Sequence, residues 1–314
     1  MGSLQLSELA EAEAAGADIF ICSASFEDRS VSIAEHIPDT GLSRVLVFRS
    51  RRLATVAGPQ WRTIKHRFSE RARIVPFDGE SPLDFADAAS KEFSRLDRGT
   101  PHRYLVDVTA FTRENLLIIL SLLRDLCRVG DRITIAYAGA QAYSVTGGDW
   151  LSRGYGDVRS VLGYPGELRP SQGEQLIVLV GYEDSRAEKL IRTYEPALLA
   201  LGHCGDGQDI DERFHPKNVE LHKRLQLIRQ QVDSFTFSCS DPFAARDDIL
   251  ARVRMYPAHN SVVAPMNTKL STVGAALAAF EEPRIQLCYL PAREYNEAGY
   301  STGSGQCYLY ELPI

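Results

Sequence analysis

Short apolar runs alternate with helical patterns along the whole chain. Strands are predicted near residues 18–23, 44–48, 73–77, 103–108 and 132–137, and again near 175–180, 197–201, 233–237, 260–264 and 285–289. Helices are predicted in the first half near residues 28–36, 58–69, 82–96 and 113–128. Continuous apolar strands that alternate with helices indicate mostly parallel sheets flanked by helices, so we predict an α/β protein.

The two halves of the chain repeat one another. The polar turn Phe26-Glu27-Asp28 follows the first strand, and Tyr182-Glu183-Asp184 follows a matching strand 156 positions later. The pair Thr112-Arg113 recurs as Thr268-Lys269 at the same spacing. A repeat this long predicts two whole domains of one kind, because solenoid units are much shorter.

We therefore predict two tandem Rossmann-like domains, arranged as a pseudo-dimer by internal duplication. Residues 1–164 form the first domain and 174–314 the second, joined by a linker at 165–173 that contains Pro and Gly. Each half ends on a Ser-x-Gly-x-Gly stretch, followed in the second half by the apolar run 307–312. This ending predicts an added strand or hairpin at the sheet edge.

Composition and charge narrow the class of protein. The chain has 314 residues with 44% hydrophobic and 24% charged positions, which excludes collagen-like and wholly disordered chains. A net charge of −6 argues against a protein that coats nucleic acid. No apolar run is long enough to span a membrane and the N-terminus does not resemble a signal peptide, so we expect a cytoplasmic protein.

The six cysteines include no CxxC pair, and His203-Cys204 is the only His/Cys doublet. Several of the cysteines lie in apolar strand or helix patterns, where a free cysteine behaves as a small hydrophobic residue. We therefore predict reduced thiols, no metal site and no bound cofactor.

Candidate binding residues lie where the predicted strands end, which is where open parallel sheets bind ligands. They are Phe26, Glu27, Asp28, Thr109, Thr112 and Arg113 in the first half, and Tyr182, Glu183, Asp184, Asn267, Thr268 and Lys269 in the second. A hydroxyl and a cation at a helix N-terminus suit an anionic ligand. The alternative is that both threonines are ordinary N-caps and the basic residues are solvated.

Two further features have both a functional and a structural interpretation. Glu27 and Glu183 are the candidate catalytic acids, but a carboxylate also favours the first turn of a helix. The stretch 301–305 resembles a phosphate-binding loop, although it lacks the Walker spacing and lysine, and tight turns also explain such glycines. Ser301, Gly303 and the nearby Tyr295 are therefore candidate ligand contacts.

The segment 44–73 is rich in basic residues. The candidate contacts for a partner or an anion are Arg49, Arg51, Arg52, Arg62, Lys65 and Arg67. An acidic partner protein or a nucleic acid would suit this segment, and a solvated helix face is the alternative.

The strand at 261–265 with the following Met266-Asn267-Thr268-Lys269 resembles CARF domains, which are Rossmann-like sensors of cyclic oligonucleotides. Two such units in one chain resemble a SAVED domain of bacterial antiphage systems. The resemblance implies a nucleotide-like anionic ligand, no catalysis, and a separate effector protein such as a nuclease or an ATPase. The glycines that usually precede the Thr-Lys step are Met266 and Asn267 in this chain.

A second resemblance concerns the segment 18–29, which looks like the opening of TIR domains and implies recognition or cleavage of NAD. The leading hypothesis from the sequence is a nucleotide-sensing module that is not an enzyme. One alternative is a nucleotide-processing enzyme, an NAD or nucleoside glycosidase or transferase that uses Glu27 or Glu183. Another is a non-catalytic subunit that docks a protein or nucleic acid through the segment 44–73.

Overall fold

A computed structural model describes residues 2–13, 16–97, 99–143, 150–210, 212–297 and 300–313. The chain forms two compact units. Unit 1 consists of residues 1–144 together with 297–314, and unit 2 consists of residues 145–296. This division differs from the predicted one, because the last residues of each half belong to the unit built mainly from the other half.

Unit 1 is a sheet with helices packed on it. Its strands are β1 (Ser3–Gln5), β2 (Ile19–Ser23), β3 (Arg44–Ser50), β4 (Ala72–Phe77), β5 (Arg103–Asp107), β6 (Arg132–Tyr143) and β15 (Ser301–Leu312). Its helices are α1 (Leu9–Ala12), α2 (Ser32–His36), α3 (Gly58–Phe68), α4 (Pro82–Phe93) and α5 (Arg113–Leu126).

The strand order in unit 1 is β1-β15-β6-β5-β2-β3-β4. The five strands from β6 to β4 are parallel, and β15 joins β6 antiparallel. All five residues of β2 are buried, as expected for a central strand of a parallel sheet covered on both faces. The order of these five strands is that of a doubly wound fold. In such a fold the ligand crevice lies at the carboxyl ends of the first and fourth parallel strands in chain order, which are β2 and β5 in unit 1.

Unit 2 has a second sheet with the same order of parallel strands. Its strands are β7 (Ser152–Tyr155), β8 (Arg159–Ser160), β9 (Glu174–Leu179), β10 (Leu198–Cys204), β11 (Asp233–Phe237), β12 (Asn260–Pro265), β13 (Ile285–Tyr289) and β14 (Ala292–Tyr295). Its helices are α6 (Asp184–Tyr194), α7 (His215–Gln226), α8 (Pro242–Met255) and α9 (Lys269–Glu281). The main sheet runs β11-β10-β9-β12-β13-β8, and β7 pairs separately with β14.

The sequence-based elements agree with the structure for the parallel strands, which lie within a few residues of their predicted bounds. The added strands were predicted only as edge elements of their own half. In the structure β8 pairs antiparallel with β13 of unit 2, and β15 pairs antiparallel with β6 of unit 1. Antiparallel pairing between distant segments leaves no local sequence signal, so their partners were not predictable.

Each sheet has its own apolar core. In unit 1 the side chains of Phe20, Val45 and Leu105 pack together with Leu309 of β15, and all are fully buried or nearly so. In unit 2 Leu176, Leu199, Val262 and Leu290 form the corresponding core. Among the described residues, no helix combines the length and apolar content needed to cross a bilayer.

Candidate functional site

The predicted polar turn of unit 1 forms a buried ion pair. Arg29 donates to the Glu27 carboxylate at 2.7 Å, to the Ala138 carbonyl at 2.7 Å and to the Ser301 hydroxyl at 2.9 Å. The Ser301 hydroxyl in turn donates to Glu27 at 2.6 Å. The Arg29 guanidinium also lies 5.8 Å from the centre of the Tyr137 ring. Glu27 and Arg29 therefore tie the turn after β2 to the ends of β6 and β15.

Unit 2 contains an ion pair of the same kind. Arg186 donates to the Glu183 carboxylate at 2.6 Å and to the Leu290 carbonyl, and the Ser152 hydroxyl donates to Glu183. The guanidinium lies 5.7 Å from the centre of the Tyr289 ring. Both candidate catalytic glutamates are thus engaged by an arginine and a serine, an arrangement that favours a structural role. Sequence comparison missed Arg29 and Arg186 because they are 157 positions apart, one more than the offset of the surrounding motif.

The threonines that precede the basic residues are N-caps. The Thr112 hydroxyl accepts from the Asn115 amide at the start of α5, and the Thr268 hydroxyl accepts from the Ser271 amide at the start of α9. Arg113 and Lys269 are the first residues of these helices and are half-buried. The capping alternative is therefore what the structure has at both threonines.

Other candidate contacts form hydrogen bonds or packing contacts within the fold. Thr109 is fully buried, and its hydroxyl accepts from the Ala138 amide at 2.9 Å. The Asn267 amide donates to the Val180 carbonyl at 2.6 Å. The Phe26 ring packs edge-on against Tyr300 with 5.7 Å between ring centres, and Asp28 is exposed and accepts from Gln60.

The Ser-Gly stretch near the end of the chain lies in a strand. Ser301 and Gly303 belong to β15, which pairs with β6 through irregular register at Gly303. Tyr295 ends β14 in unit 2. The side chain of Asp184 lies outside the described residues.

The basic segment of unit 1 is largely paired within the unit. Arg51 contacts Asp84, Arg52 contacts Glu80, Lys65 contacts Glu70, and Arg67 donates to the Ile37 carbonyl. These contacts account for four of the six candidate partner residues, the remaining two being Arg49 and Arg62. Three of these four partners are carboxylates, so they offset half of the six candidate positive charges, and the segment presents less positive potential than its sequence indicates.

A cluster of reactive side chains lies at the carboxyl end of β10 in unit 2. Cys204, Asp209 and His215 each offer one potential ligand atom, and these atoms lie within 4.8 Å of one another. The His215 Nδ1 atom is 3.4 Å from Asp209 Oδ2, while His215 Nε2 is 3.0 Å from the exposed carboxylate of Asp206. We call Cys204, Asp209 and His215 the strand-end cluster.

The strand-end cluster is buried on one side and open on the other. The Asp209 side chain is 1% exposed and that of His215 is 24% exposed. Burial raises the pKa of the Asp209 carboxyl, and the Cys204 thiol and the His215 ring oppose this shift. The buried atoms Asp209 Oδ2 and His215 Nδ1 have no hydrogen-bond partner, although they face each other. Buried polar atoms of this kind are rare in proteins, and a functional role is one recognised explanation.

Backbone contacts hold the loops around the strand-end cluster. The Cys204 amide donates to Asn218 at 2.7 Å, and Asn218 donates to the Val180 carbonyl at 2.7 Å. The Thr268 hydroxyl donates to the Cys239 carbonyl at 2.6 Å, and the Cys239 thiol contacts that of Cys204. The N-terminus of α9 is therefore connected through Cys239 to the strand-end cluster.

We predicted no metal site from the cysteine pattern, whereas the structure brings together three residues with metal-ligating atoms. The His203-Cys204 doublet was the only sequence feature that indicated this site, and only Cys204 belongs to the cluster. Asp209 and His215 carried no signal, because their spacing from Cys204 matches no common ligand motif.

No family model and no curated protein matches the chain. Among solved structures, part of the chain is similar to the mitomycin 7-O-methyltransferase MmcR, with 16% identity over 44% of this chain and 37% of that one and a TM-score of 0.25. It is also similar to the glycopeptide N-methyltransferase MtfA, with 11% identity over 52% and 67% of the two chains and a TM-score of 0.26. Human N-acetylserotonin methyltransferase is similar with 13% identity over 43% of this chain and 34% of that one, and a TM-score of 0.24.

These matches contradict the family prediction. The three solved structures named above are methyltransferases, not cyclic-oligonucleotide sensors, so the assignments to CARF-like and SAVED-like proteins and to antiviral defence are wrong. The predictions of a nucleotide-sensing module and of a protein without catalysis are wrong with them. The physical reason is that a strand, a polar turn and a capped helix recur throughout doubly wound folds, so they do not identify one family. The matched parts have low TM-scores, and no reaction is transferred from them to this chain.

Proposed function

We propose that this protein is an enzyme whose reaction centre is the strand-end cluster of unit 2. The observation that carries the proposal is the 3.4 Å contact between Asp209 Oδ2 and His215 Nδ1, two buried atoms that form no well-aligned hydrogen bond. The pair lies at the carboxyl end of β10, next to the central strand β9 and on the edge of the sheet where doubly wound folds bind their ligands. The part-exposed His215 ring connects it to solvent. A carboxylate and an imidazole in this arrangement are suited to bind and orient a reacting group.

We propose that the substrate carries a phosphate and belongs to the nucleotides. The support is the position of Thr268 and Lys269 at the start of α9, because a helix N-terminus with a cation favours an anion. The contact from Thr268 to Cys239 joins this helix start to the strand-end cluster. Asn267 and Tyr182 belong to the same group of loops, so they remain proposed contacts for the substrate.

This proposal retains the alternative of a nucleotide-processing enzyme, but with the strand-end cluster as the reaction centre instead of Glu27 or Glu183. Glu27 and Glu183 are each engaged by an arginine, so they are less suited than Asp209 to contact a substrate. Asp209 instead has an oxygen without a hydrogen-bond partner.

We infer that the two units arose by duplication. The support is the common order of five parallel strands and the matching ion pairs of Glu27 with Arg29 and of Glu183 with Arg186. In unit 1 the strand that corresponds to β10 is β3, and it is followed by the ion-paired Arg51 and Arg52. We propose that unit 1 supports the fold and unit 2 performs the reaction.

Incubation of the purified protein with a panel of nucleotides that includes NAD, followed by mass spectrometry, tests the function. We expect depletion of at least one nucleotide, and its loss in Asp209→Asn and in His215→Gln. His203→Gln is the matched control, since His203 neighbours Cys204 without belonging to the cluster. Depletion that persists in Asp209→Asn but disappears in Glu183→Gln would move the centre to Glu183, and no depletion of any nucleotide would contradict the proposal.

A further inference from the structure

We propose that the strand-end cluster is a zinc site in which Cys204, Asp209 and His215 are the three protein ligands. Thiolate, imidazole and carboxylate are the ligand types that Zn²⁺ takes in proteins, and three protein ligands leave the fourth position open. The inference rests on the same residues as the proposed function, but it concerns metal binding and is testable without turnover.

The distances suit a small cation. In a tetrahedral zinc site the ligand atoms lie about 3.3 to 3.8 Å apart, given metal–ligand bonds of about 2.0 to 2.3 Å. The 3.4 Å between His215 Nδ1 and Asp209 Oδ2 falls in this range. All three ligand atoms lie within 4.8 Å of one another, so side-chain shifts of less than about 1 Å complete the site.

The two unpartnered atoms are an independent indication of a ligand. Asp209 Oδ2 and His215 Nδ1 are both buried, and their 3.4 Å contact is not aligned as a hydrogen bond. Leaving a buried polar atom unsatisfied is costly, and a cation between the two lone pairs satisfies both at once. The Asp209 side chain is 1% exposed, so its carboxylate has little contact with bulk solvent.

The neighbours of the cluster orient its ligands as in known metal sites. A histidine ligand usually donates its other ring nitrogen to a carboxylate, which fixes the tautomer that binds the metal. His215 has this arrangement, since its Nε2 atom is 3.0 Å from Asp206 Oδ1. The Tyr182 hydroxyl lies 3.4 Å from Asp209 Oδ1, which is not the oxygen assigned to the metal.

Cys239 lies beside the proposed site, and its thiol contacts that of Cys204. We assign Cys239 to the wall of the site and not to its ligands, because it is not part of the group whose atoms converge within 4.8 Å.

Metal content and cobalt spectra test the inference. After dialysis against excess Zn²⁺ and then buffer, elemental analysis of the full chain should find about one zinc per chain. Replacement by Co²⁺ should give a thiolate-to-cobalt band in the near ultraviolet and visible bands of a tetrahedral site. Both signals should be absent in Cys204→Ser, Asp209→Asn and His215→Gln, while Cys239→Ser and His203→Gln should retain them.

Asp206, which orients the His215 ring, is expected to affect zinc affinity without abolishing zinc binding. Asp206→Asn should bind zinc about 10 to 100 times more weakly, which is the usual effect of removing the carboxylate partner of a histidine ligand. Thermal unfolding measured with chelator present checks that each variant folds. Zinc retained in the Cys204, Asp209 and His215 variants, or lost in Cys239→Ser alone, would overturn the three-ligand site. Bound zinc without nucleotide turnover would refute the proposed function and leave the metal site standing, and turnover without metal would do the reverse.

Discussion

The buried ion pair of unit 1 provides the sharpest stability prediction. Arg29→Met keeps much of the side-chain volume but removes the donors to Glu27, Ala138 and Ser301. The side chains of Arg29 and Glu27 are only 4% and 7% exposed, so the substitution leaves a buried carboxylate without its cation. Breaking a buried pair in this way costs about 3 to 5 kcal/mol of unfolding free energy.

Tryptophan fluorescence during urea unfolding measures this loss in unit 1. The chain has two tryptophans, of which Trp61 packs against the core of unit 1 and Trp150 belongs to unit 2. In a Trp150→Phe background the signal therefore comes from unit 1. With a slope of about 2 kcal/mol per molar urea, the midpoint should fall by roughly 1.5 to 2.5 M.

Two variants serve as controls for this prediction. The double substitution Glu27→Gln with Arg29→Met removes both charges, so it should be less destabilising than Arg29→Met alone. Arg62→Met changes an exposed arginine and should alter the unfolding free energy by less than about 0.5 kcal/mol. A midpoint for Arg29→Met that equals that of Arg62→Met would refute the structural role of the ion pair, as would a double variant less stable than the single one.

Three further predictions concern other parts of the chain. The Arg103 side chain hydrogen-bonds to Asp18 and lowers the pKa of that carboxyl, so Asp18→Asn should cost about 1 kcal/mol at pH 7. This loss should shrink as the pH falls below about 4, because the wild-type carboxylate then becomes protonated; a loss independent of pH would count against the ion pair. A fragment of residues 145–296 should fold with cooperative thermal unfolding, whereas 174–314 should aggregate because it lacks β8 and carries β15 unpaired; light scattering and circular dichroism distinguish the two outcomes. For the nucleotide that the protein depletes, Lys269→Gln should raise KM about tenfold with little change in kcat, and an unchanged KM would remove Lys269 from the substrate site.

The sequence predicted the parallel sheets but not which segments complete them. Apolar strands such as Ile19–Ser23 and Glu174–Leu179 are recognisable because every position is buried or nearly so. The stretch around Ser301 and Gly303 indicated a loop, yet it pairs with β6 from the first half. Pairing across such a distance depends on which sheet edge is open, and that is a property of the folded units.

The strand-end cluster could not be predicted from the sequence for a similar reason. The loop after β10 turns back on itself, with the Gln208 amide bonded to the Gly205 carbonyl and the Cys239 amide bonded to the Gln208 carbonyl. These backbone contacts belong to the fold that brings Asp209 and His215 to Cys204. The capping threonines are the opposite case, because the structural alternative stated from the sequence describes both Thr112 and Thr268.

The central claim is that the strand-end cluster of unit 2 is a reaction centre, and nucleotide turnover by Asp209→Asn tests it most directly. The assay compares the rate of nucleotide depletion by the wild-type protein, by Asp209→Asn and by His203→Gln at equal concentration. We expect Asp209→Asn to lose at least about 100-fold in rate, on the order of the loss when a group at the reacting atoms is removed, while His203→Gln stays near the wild-type rate. Equal rates in the wild type and in folded Asp209→Asn would contradict it.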